Sequence, residues 1–229
     1  MSETRRSNII VVTGTDTAVG KTWVTAALAN ALAGLGATVR AVKLVETGCA
    51  RTSHDREDGV VLARATGQDA PVEALYRFPD DVSPALAAER AGTPVDFDEL
   101  LMAVERYAEK CDLLLLEGSG GLLAPITWEW CVVDVAQALD ARAIVVASDR
   151  LGTLSPALLT LGALELAAVP VVEVVLTPPA TPDETAGTNA AAIRRLSGAQ
   201  QVTSVPRTDD PAMAAASLLE TARRLLAGH

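Results

Sequence analysis

Paired cysteines are missing from this chain: Cys49, Cys111 and Cys131 form an odd set with no CxxC spacing. A disulfide framework or a cysteine zinc site is therefore not expected, and three free thiols fit a reducing, cytoplasmic compartment. An excess of positive charge is missing too. With 19 Lys and Arg against 29 Asp and Glu, the formal net charge is -10. Such a chain repels a phosphate backbone, whose binding depends on Lys and Arg, so nucleic acid is not an expected partner. Long hydrophobic runs are lacking as well. The longest apolar stretch, residues 157–176, is interrupted by Glu165, Pro170 and Glu173, which a membrane span rarely accepts. Residues 1–7 are polar, and the apolar run 9–12 after them is too short for the core of a signal peptide, so neither export nor membrane insertion is expected. No internal repeat or low-complexity tract is present.

What is there points to one core. At 229 residues and 49% hydrophobic content the chain is expected to form a single domain over 1–229. Short runs of Val, Ile and Leu alternate with longer segments rich in Ala and Leu, the pattern of parallel strands buried on both faces and joined by helices. The fold class expected is α/β, with a mostly parallel central sheet flanked by helices. Strands are predicted at 8–12, 38–43, 113–116, 143–147, 171–176 and 201–205. Helices are predicted to begin near Lys21, Glu57, Phe97, Val132, Pro156, Asp183 and Pro211, the last running on to Leu226. Residues 177–188, with three prolines, read as a loop.

After the first strand comes Gly14-Thr-Asp-Thr-Ala-Val-Gly20-Lys21-Thr22, leading into an Ala-rich helical segment. Strand, loop and helix start thus follow in the order that phosphate binding requires. Backbone N–H groups and the positive end of the helix dipole suit a β-phosphate, while Lys21 can reach the β- and γ-phosphates. Thr22 would offer a hydroxyl to Mg²⁺. The loop is a variant of the P-loop pattern, because Thr15 stands where the first glycine is expected and Gly14 lies one residue earlier.

In an open parallel sheet, ligands bind beyond the carboxyl ends of the strands. Lys43 ends the second predicted strand, ahead of Thr47 and Gly48. Glu117 ends the third and precedes the glycine-rich turn Gly118-Ser119-Gly120-Gly121, where a carboxylate can hold Mg²⁺ and glycines let backbone approach a ligand. Asp149 follows the fourth and is read simply as a solvated charge at the sheet rim. His54 and His229 are read as solvated surface rather than general bases. Trp128 and Trp130, flanking Glu129, either cover a dimer surface or pack into a core edge, and packing is the expectation.

Three ordered motifs, Gly14-Thr-Asp-Thr-x-Val-Gly-Lys-Thr22, Lys43-x-Val-x-Thr-Gly48 and Leu116-Glu-Gly-Ser-Gly-Gly121, resemble those of the dethiobiotin synthetase family of P-loop enzymes. Ser83-Pro84, with the helical Ala-rich stretch after it, is similar to that family's substrate-binding segment, and with Leu151-Gly152 and the Pro206 loop the likeness covers nearly the whole chain. The resemblance implies a homodimeric ligase that uses ATP and Mg²⁺ to convert 7,8-diaminopelargonate and CO₂ into dethiobiotin in biotin synthesis. In that chemistry a carbamate oxygen attacks the γ-phosphate, and the second amine closes the ureido ring by displacing phosphate from the carbamic-phosphoric anhydride. The resemblance puts the metal on Thr22, Asp58 and Glu117, and catalytic roles on Lys21 and Lys43. Spacing alone leaves Asp58 as an exposed residue at a helix start. Nucleotide contacts are implied for Thr17, Ala18, Val19, Gly20, Lys21, Thr22, Trp23, Asp58, Glu117, Gly118, Ser119 and Gly120, and around the base for Leu176, Thr177, Val205, Pro206 and Arg207. Substrate contacts are implied for Thr47, Ser83 and Pro84, and, at a helix N-terminus lent by the second subunit, for Gly152, Thr153, Leu154 and Ser155.

The chain departs from the family's pattern in places. Lys43-Leu-Val45 replaces Lys-Pro-Val, Ser119 replaces an alanine, Ser155-Pro156 replaces Asn-His, and Leu176 or Thr177 stands where an asparagine typically reads adenine. Weak selection among nucleotides is therefore expected. Two other readings share the fold: a partitioning or positioning ATPase, and another small-molecule amidoligase or kinase. Loops of the first class usually carry an extra lysine near the first glycine, where this chain has Thr15-Asp16-Thr17.

Overall fold

A computed structural model describes residues 8–199 and 201–228; the expectations for residues 1–7 and His229 lie outside the described residues. Six strands form the main sheet. They are β1 (Ile9–Gly14), β2 (Val39–Lys43), β5 (Leu113–Glu117), β6 (Arg142–Ser148), β7 (Val171–Thr177) and β8 (Val202–Ser204), the missing numbers going to a small ribbon of β3 (Val45–Glu46) and β4 (Tyr76–Arg77). The order across the sheet is β2-β5-β1-β6-β7-β8, and every neighbouring pair is parallel.

Parallel strands need long crossovers, and helices supply them. In chain order these are α1 (Lys21–Gly34), α2 (Asp58–Thr66), α3 (Pro84–Ala91), α4 (Phe97–Ala108), α5 (Val132–Ala138), α6 (Leu154–Leu166), α7 (Asn189–Ser197), α8 (Pro211–Ala214) and α9 (Leu219–Ala227). The period-2 alternation of the strands feeds two cores. Ile10 and Val12 of β1 and Leu113 and Leu115 of β5 pack with Val24, Leu28 and Leu32 of α1 and Leu218, Ala222 and Leu225 near the C-terminus. Val11, Leu114 and Leu116 face the other way, with Leu100 and Val104 of α4, Val132 and Val135 of α5, Leu164 of α6 and Ile193 of α7. Burial on both faces explains why β1 and β5 read as unbroken apolar runs.

All six predicted strands are present within two residues at each end, but two helical expectations need correction. The helix predicted near Asp183 begins at Asn189. Asp183 instead accepts hydrogen bonds from the Thr185 amide at 2.8 Å and its hydroxyl at 2.6 Å, a local turn that competes with helix. Gly187 then takes a left-handed φ of 86° before the helix starts. The single helix predicted from Pro211 to Leu226 is broken by a 3₁₀ turn at Ala215–Leu218. Between Ala214 and Leu218 no residue is buried, so packing does not enforce an α register there.

Candidate active site

The phosphate loop connects β1 to α1 and is shaped by close contacts. A Cβ on Gly14 would meet Val19 Cγ2 at 2.8 Å, and Gly20 sits at φ +90° with Thr177 Cγ2 only 3.1 Å from its missing Cβ. Gly14 therefore serves tight packing inside the loop even though it lies one residue early. No side chain caps α1 and no acidic residue occupies its first turn. Its first N–H groups and positive dipole end thus remain available to an anion.

The cavity beyond this helix start, about 480 Å³, is lined by Thr17, Ala18, Gly20, Lys21, Thr22 and Trp23 from the loop side and by Lys43, Val45, Glu46, Thr47, Thr52, Arg56, Asp58, Ser119 and Gly120 from the other. Strand ends explain the convergence. Lys43 and Glu117 are register partners at the last positions of β2 and β5, and Val12 of β1 lies across from Glu117. Lys43 Nζ donates to Glu117 Oε1 at 2.7 Å and to Asp58 Oδ2 at 2.7 Å. Thr22 donates to the same Glu117 oxygen at 2.9 Å, and Thr25 to its other oxygen at 3.1 Å. Glu117 is fully buried. Gly118 lies where a Cβ would meet Val132 Cγ1 at 2.8 Å. The hydroxyl of Ser119 bonds the carbonyl of Val45, tying the glycine turn to the loop after β2.

The two lysines feel opposite environments. Burial, followed by repulsion from Lys43, pushes Lys21 down to about 8. Burial would also depress Lys43, but the carboxylates of Glu117 and Asp58 outweigh it and hold the ammonium above its ordinary 10.5. Burial alone would raise Asp58; the charge and hydrogen bond of Lys43 prevail and keep its carboxyl below 3.8.

Among the described residues no group of three or more His, Cys, Asp or Glu side chains forms a self-contained metal site. Thr22, Asp58 and Glu117 nevertheless offer a hydroxyl and two carboxylates, hard oxygen donors of the number Mg²⁺ takes from protein when phosphates and water complete its shell. The donor set fits that ion.

A second cavity of about 460 Å³ shares Ala18, Gly20 and Trp23 with the first and continues past Val19 to Ser148, Arg150, Thr177, Pro178, Pro179, Ala180, Pro206, Arg207, Thr208 and Asp209. It continues the first cavity past the start of α1. Thr177 donates its hydroxyl to Val19 O at 2.8 Å, and Arg207 points its guanidinium at the carbonyls of Pro179 and Ala180 at 2.7 and 2.6 Å. Leu176 and Val205 line neither cavity, because alternation along the strand end turns their side chains into the two cores.

Ser83 and Pro84 begin α3, with Pro84 buried, and lie outside both cavities. Gly152, Thr153, Leu154 and Ser155 surround the start of α6 and also line neither. Asp149 is not a solvated rim charge. It is buried and accepts from Gly187 N and Asn189 Nδ2, both at 2.8 Å, because the loop before α7 folds back over it. His54 is exposed beside Glu73 Oε2 at 3.2 Å. Trp130 stacks on Phe97 with ring centroids 4.9 Å apart, while Trp128 is exposed and donates to Glu89 at 2.8 Å. Sequence reasoning passed over Glu46, Thr52 and Arg56. A signal existed only for Glu46, an acidic residue between Lys43 and Thr47 in a segment already flagged.

A family described as an AAA domain matches residues 8–213. The fold is shared with a chain of the MinC:MinD cell division protein complex of Aquifex aeolicus, at TM-score 0.61 and 16% identity, covering 96% of each chain. The Pyrococcus horikoshii septum site-determining protein MinD, complexed with Mg-ADP, aligns at TM-score 0.60 and 18% identity over 95% of this chain and 96% of its own. At that identity the likeness speaks for the fold alone. Closer similarity comes from proteins described as ATP-dependent dethiobiotin synthetase BioD. The one from Streptomyces coelicolor is 40% identical over 86% of this chain and 83% of its own length, and the one from Rhodococcus jostii 43% identical over 70% and 69%. By these matches the chain belongs to the dethiobiotin synthetase family.

Proposed function

We propose that the chain forms the ureido ring of dethiobiotin from 7,8-diaminopelargonate and CO₂, with ATP converted to ADP and phosphate. The observation that carries this reading is the meeting of Lys21, Thr22, Lys43 and Asp58 on one cavity at the ends of β1, β2 and β5, with buried Glu117 bonded to Thr22 and Lys43 directly behind its wall. The reaction joins two anions, a carbamate and a terminal phosphate, so the protein's task is to hold them in line and balance their charge. Lys21, with no carboxylate in hydrogen-bond contact and its ammonium on Asp16 O at 2.9 Å, is free to turn to a phosphate. Lys43, at the far wall beside Thr47, is suited to the carbamate and the transferred phosphoryl oxygens. Thr22, Asp58 and Glu117 would hold Mg²⁺, which would neutralise charge on those oxygens. No protein nucleophile is needed: the carbamate oxygen bonds to the γ-phosphorus as ADP leaves. The second amine then bonds to the carbamate carbon as phosphate leaves and the amine proton is lost.

A homodimer is part of the proposal. Gly152–Ser155 line neither of the two cavities, while α6 above them exposes Leu159 and Leu166, at 72% and 91%, on a helix whose polar residues are Ser155, Thr160 and Glu165. A second copy would cover that face and could offer the helix start to a substrate carboxylate. Among the described residues no helix is long and apolar enough to cross a membrane. The deciding assay is phosphate release from ATP with diaminopelargonate and bicarbonate, each omitted in turn. Release that depends on both supports the synthetase; release indifferent to the diamine would overturn it.

A further inference from the structure

Asp58 reaches the cavity from the very start of a helix. It is the first residue of α2, and no side chain at the preceding position caps the helix. The cap comes instead from the β3–β4 ribbon. Glu46, buried on β3, accepts the Asp58 N–H at 2.5 Å and the Gly59 N–H at 3.0 Å, one on each carboxylate oxygen. Two orphan donors of the helix start are thereby satisfied by a carboxylate at its positive end. From β4, Arg77 grips the residue before Asp58. Its Nε and Nη2 donate to the two oxygens of buried Glu57 at 2.7 and 2.6 Å. Glu46 and Arg77 are register partners across the ribbon. At Gly59 a Cβ would fall 2.2 Å from Ala74 N, so the first turn of α2 rests directly on the backbone that leads into β4.

We propose that Glu46 and Arg77 are positioning residues that hold Asp58 against Thr22 and Glu117, and so set the affinity of the nucleotide-loaded cavity for a divalent cation. This rests on the reading of Asp58 as a metal carboxylate. Glu46 is placed to act through Asp58, because each of its oxygens accepts an N–H of the first turn of α2, the turn that carries Asp58. Small divalent ions tolerate little departure from octahedral geometry, which makes the placement of a helix-borne carboxylate decisive.

The test measures Mn²⁺ binding by electron paramagnetic resonance in the presence of a non-hydrolysable ATP analogue, and analogue binding in chelator, for Glu46→Ala, Glu46→Gln, Arg77→Lys and Asp58→Asn. Glu46→Ala and Arg77→Lys should each weaken Mn²⁺ about tenfold, the scale for losing a ligand's supporting partner, with analogue affinity in chelator unchanged. Glu46→Gln, which keeps one acceptor oxygen, should fall between. In an Asp58→Asn background Glu46→Ala should add nothing further. Should Glu46→Ala fail to fold, Glu46→Gln and Arg77→Lys carry the comparison. Unchanged Mn²⁺ affinity in folded variants, or effects that add fully to that of Asp58→Asn, would overturn the proposal. If Asp58→Asn alone leaves Mn²⁺ affinity unchanged, the metal reading beneath it falls instead.

Discussion

Lys43→Met removes the ammonium that lies 2.7 Å from both Asp58 and Glu117 and keeps a side chain of similar reach. Glu117, fully buried, retains the Thr22 and Thr25 hydroxyls at 2.9 and 3.1 Å but loses its contacting cation. Deleting one partner of a buried ion pair typically costs about 3–5 kcal/mol. Asp58 keeps 39% of its side chain exposed, so solvent screens that half of the interaction and the low end, about 3 kcal/mol, applies. In a chain of this size about 1 kcal/mol moves Tm by roughly 2–4 °C, so a fall of about 6–12 °C is expected.

The pH dependence follows from the two shifts. Asp58 is held below its ordinary 3.8, so its pairing stabilises the wild type above that value and is lost as pH falls through the lower folded value. Lys43 is held above 10.5, so its contribution is full below 10.5 and is lost only as pH rises through the higher folded value. The gap between wild type and Lys43→Met should therefore be flat across neutral pH and narrow in acid as Asp58 is protonated. Urea unfolding in chelator from pH 7 down to pH 3 measures it. A gap under about 1 kcal/mol at pH 7, the scale of an exposed pair, would refute the argument, as would one that persists undiminished in acid. The folded variant should still bind nucleotide while losing most ring formation; equal loss of both would reassign Lys43 to nucleotide anchoring.

Lys21, pushed down to about 8, carries its charge at pH 7 and has largely lost it by pH 9, so nucleotide affinity should fall about tenfold over that interval while Lys21→Ala stays weak and nearly flat. Nucleotide titrations at the two pH values check the sign. In the second cavity Thr177 spends its hydroxyl proton on a carbonyl, Arg207 Nη1 is held by two more, and no asparagine or glutamine lines the wall, so kcat/KM for GTP and CTP should lie within about tenfold of ATP, or about 1.4 kcal/mol. A preference for ATP above about a thousandfold would sink that expectation. Away from the cavities, buried Glu173 accepts from Thr203 at 2.6 Å, from Thr221 at 2.8 Å and from Arg224. Glu173→Ala should destabilise by about 3 kcal/mol or more in chemical denaturation, with the turnover of folded protein unchanged.

The sheet was legible because strands buried on both faces leave continuous apolar runs, and Lys43 and Glu117 because each is a charge that ends such a run, Glu117 directly before a glycine-rich turn. The two-residue strands β3 and β4 are too short to leave a period in the sequence. Asp58 was invisible to spacing for a different reason. Its contact with Lys43 spans fifteen positions, crosses a loop and depends on Glu46 and Arg77 folding the ribbon under α2. Asp149 misled because a lone acid after a strand looks the same whether water or a returning loop satisfies it. Here the loop does, through Gly187 and Asn189.

The opposed shifts of the two lysines also separate their roles. Lys43 is bound to two carboxylates and stays charged at any working pH, which makes it a fixed countercharge rather than a proton carrier. Among the described residues the Lys21 ammonium hydrogen-bonds a backbone carbonyl, at 2.9 Å, and it is held in a buried place against the repulsion of Lys43. An arriving phosphate relieves both penalties at once, so binding should draw a proton onto Lys21 where the free protein is partly deprotonated. Calorimetric titration of the nucleotide at pH 8.5, in two buffers of different ionisation enthalpy, would read that uptake directly. Proton uptake in the wild type that disappears in Lys21→Ala is the expected result. The same uptake in both proteins would place the titrating group elsewhere and remove Lys21 as the residue that senses the phosphate.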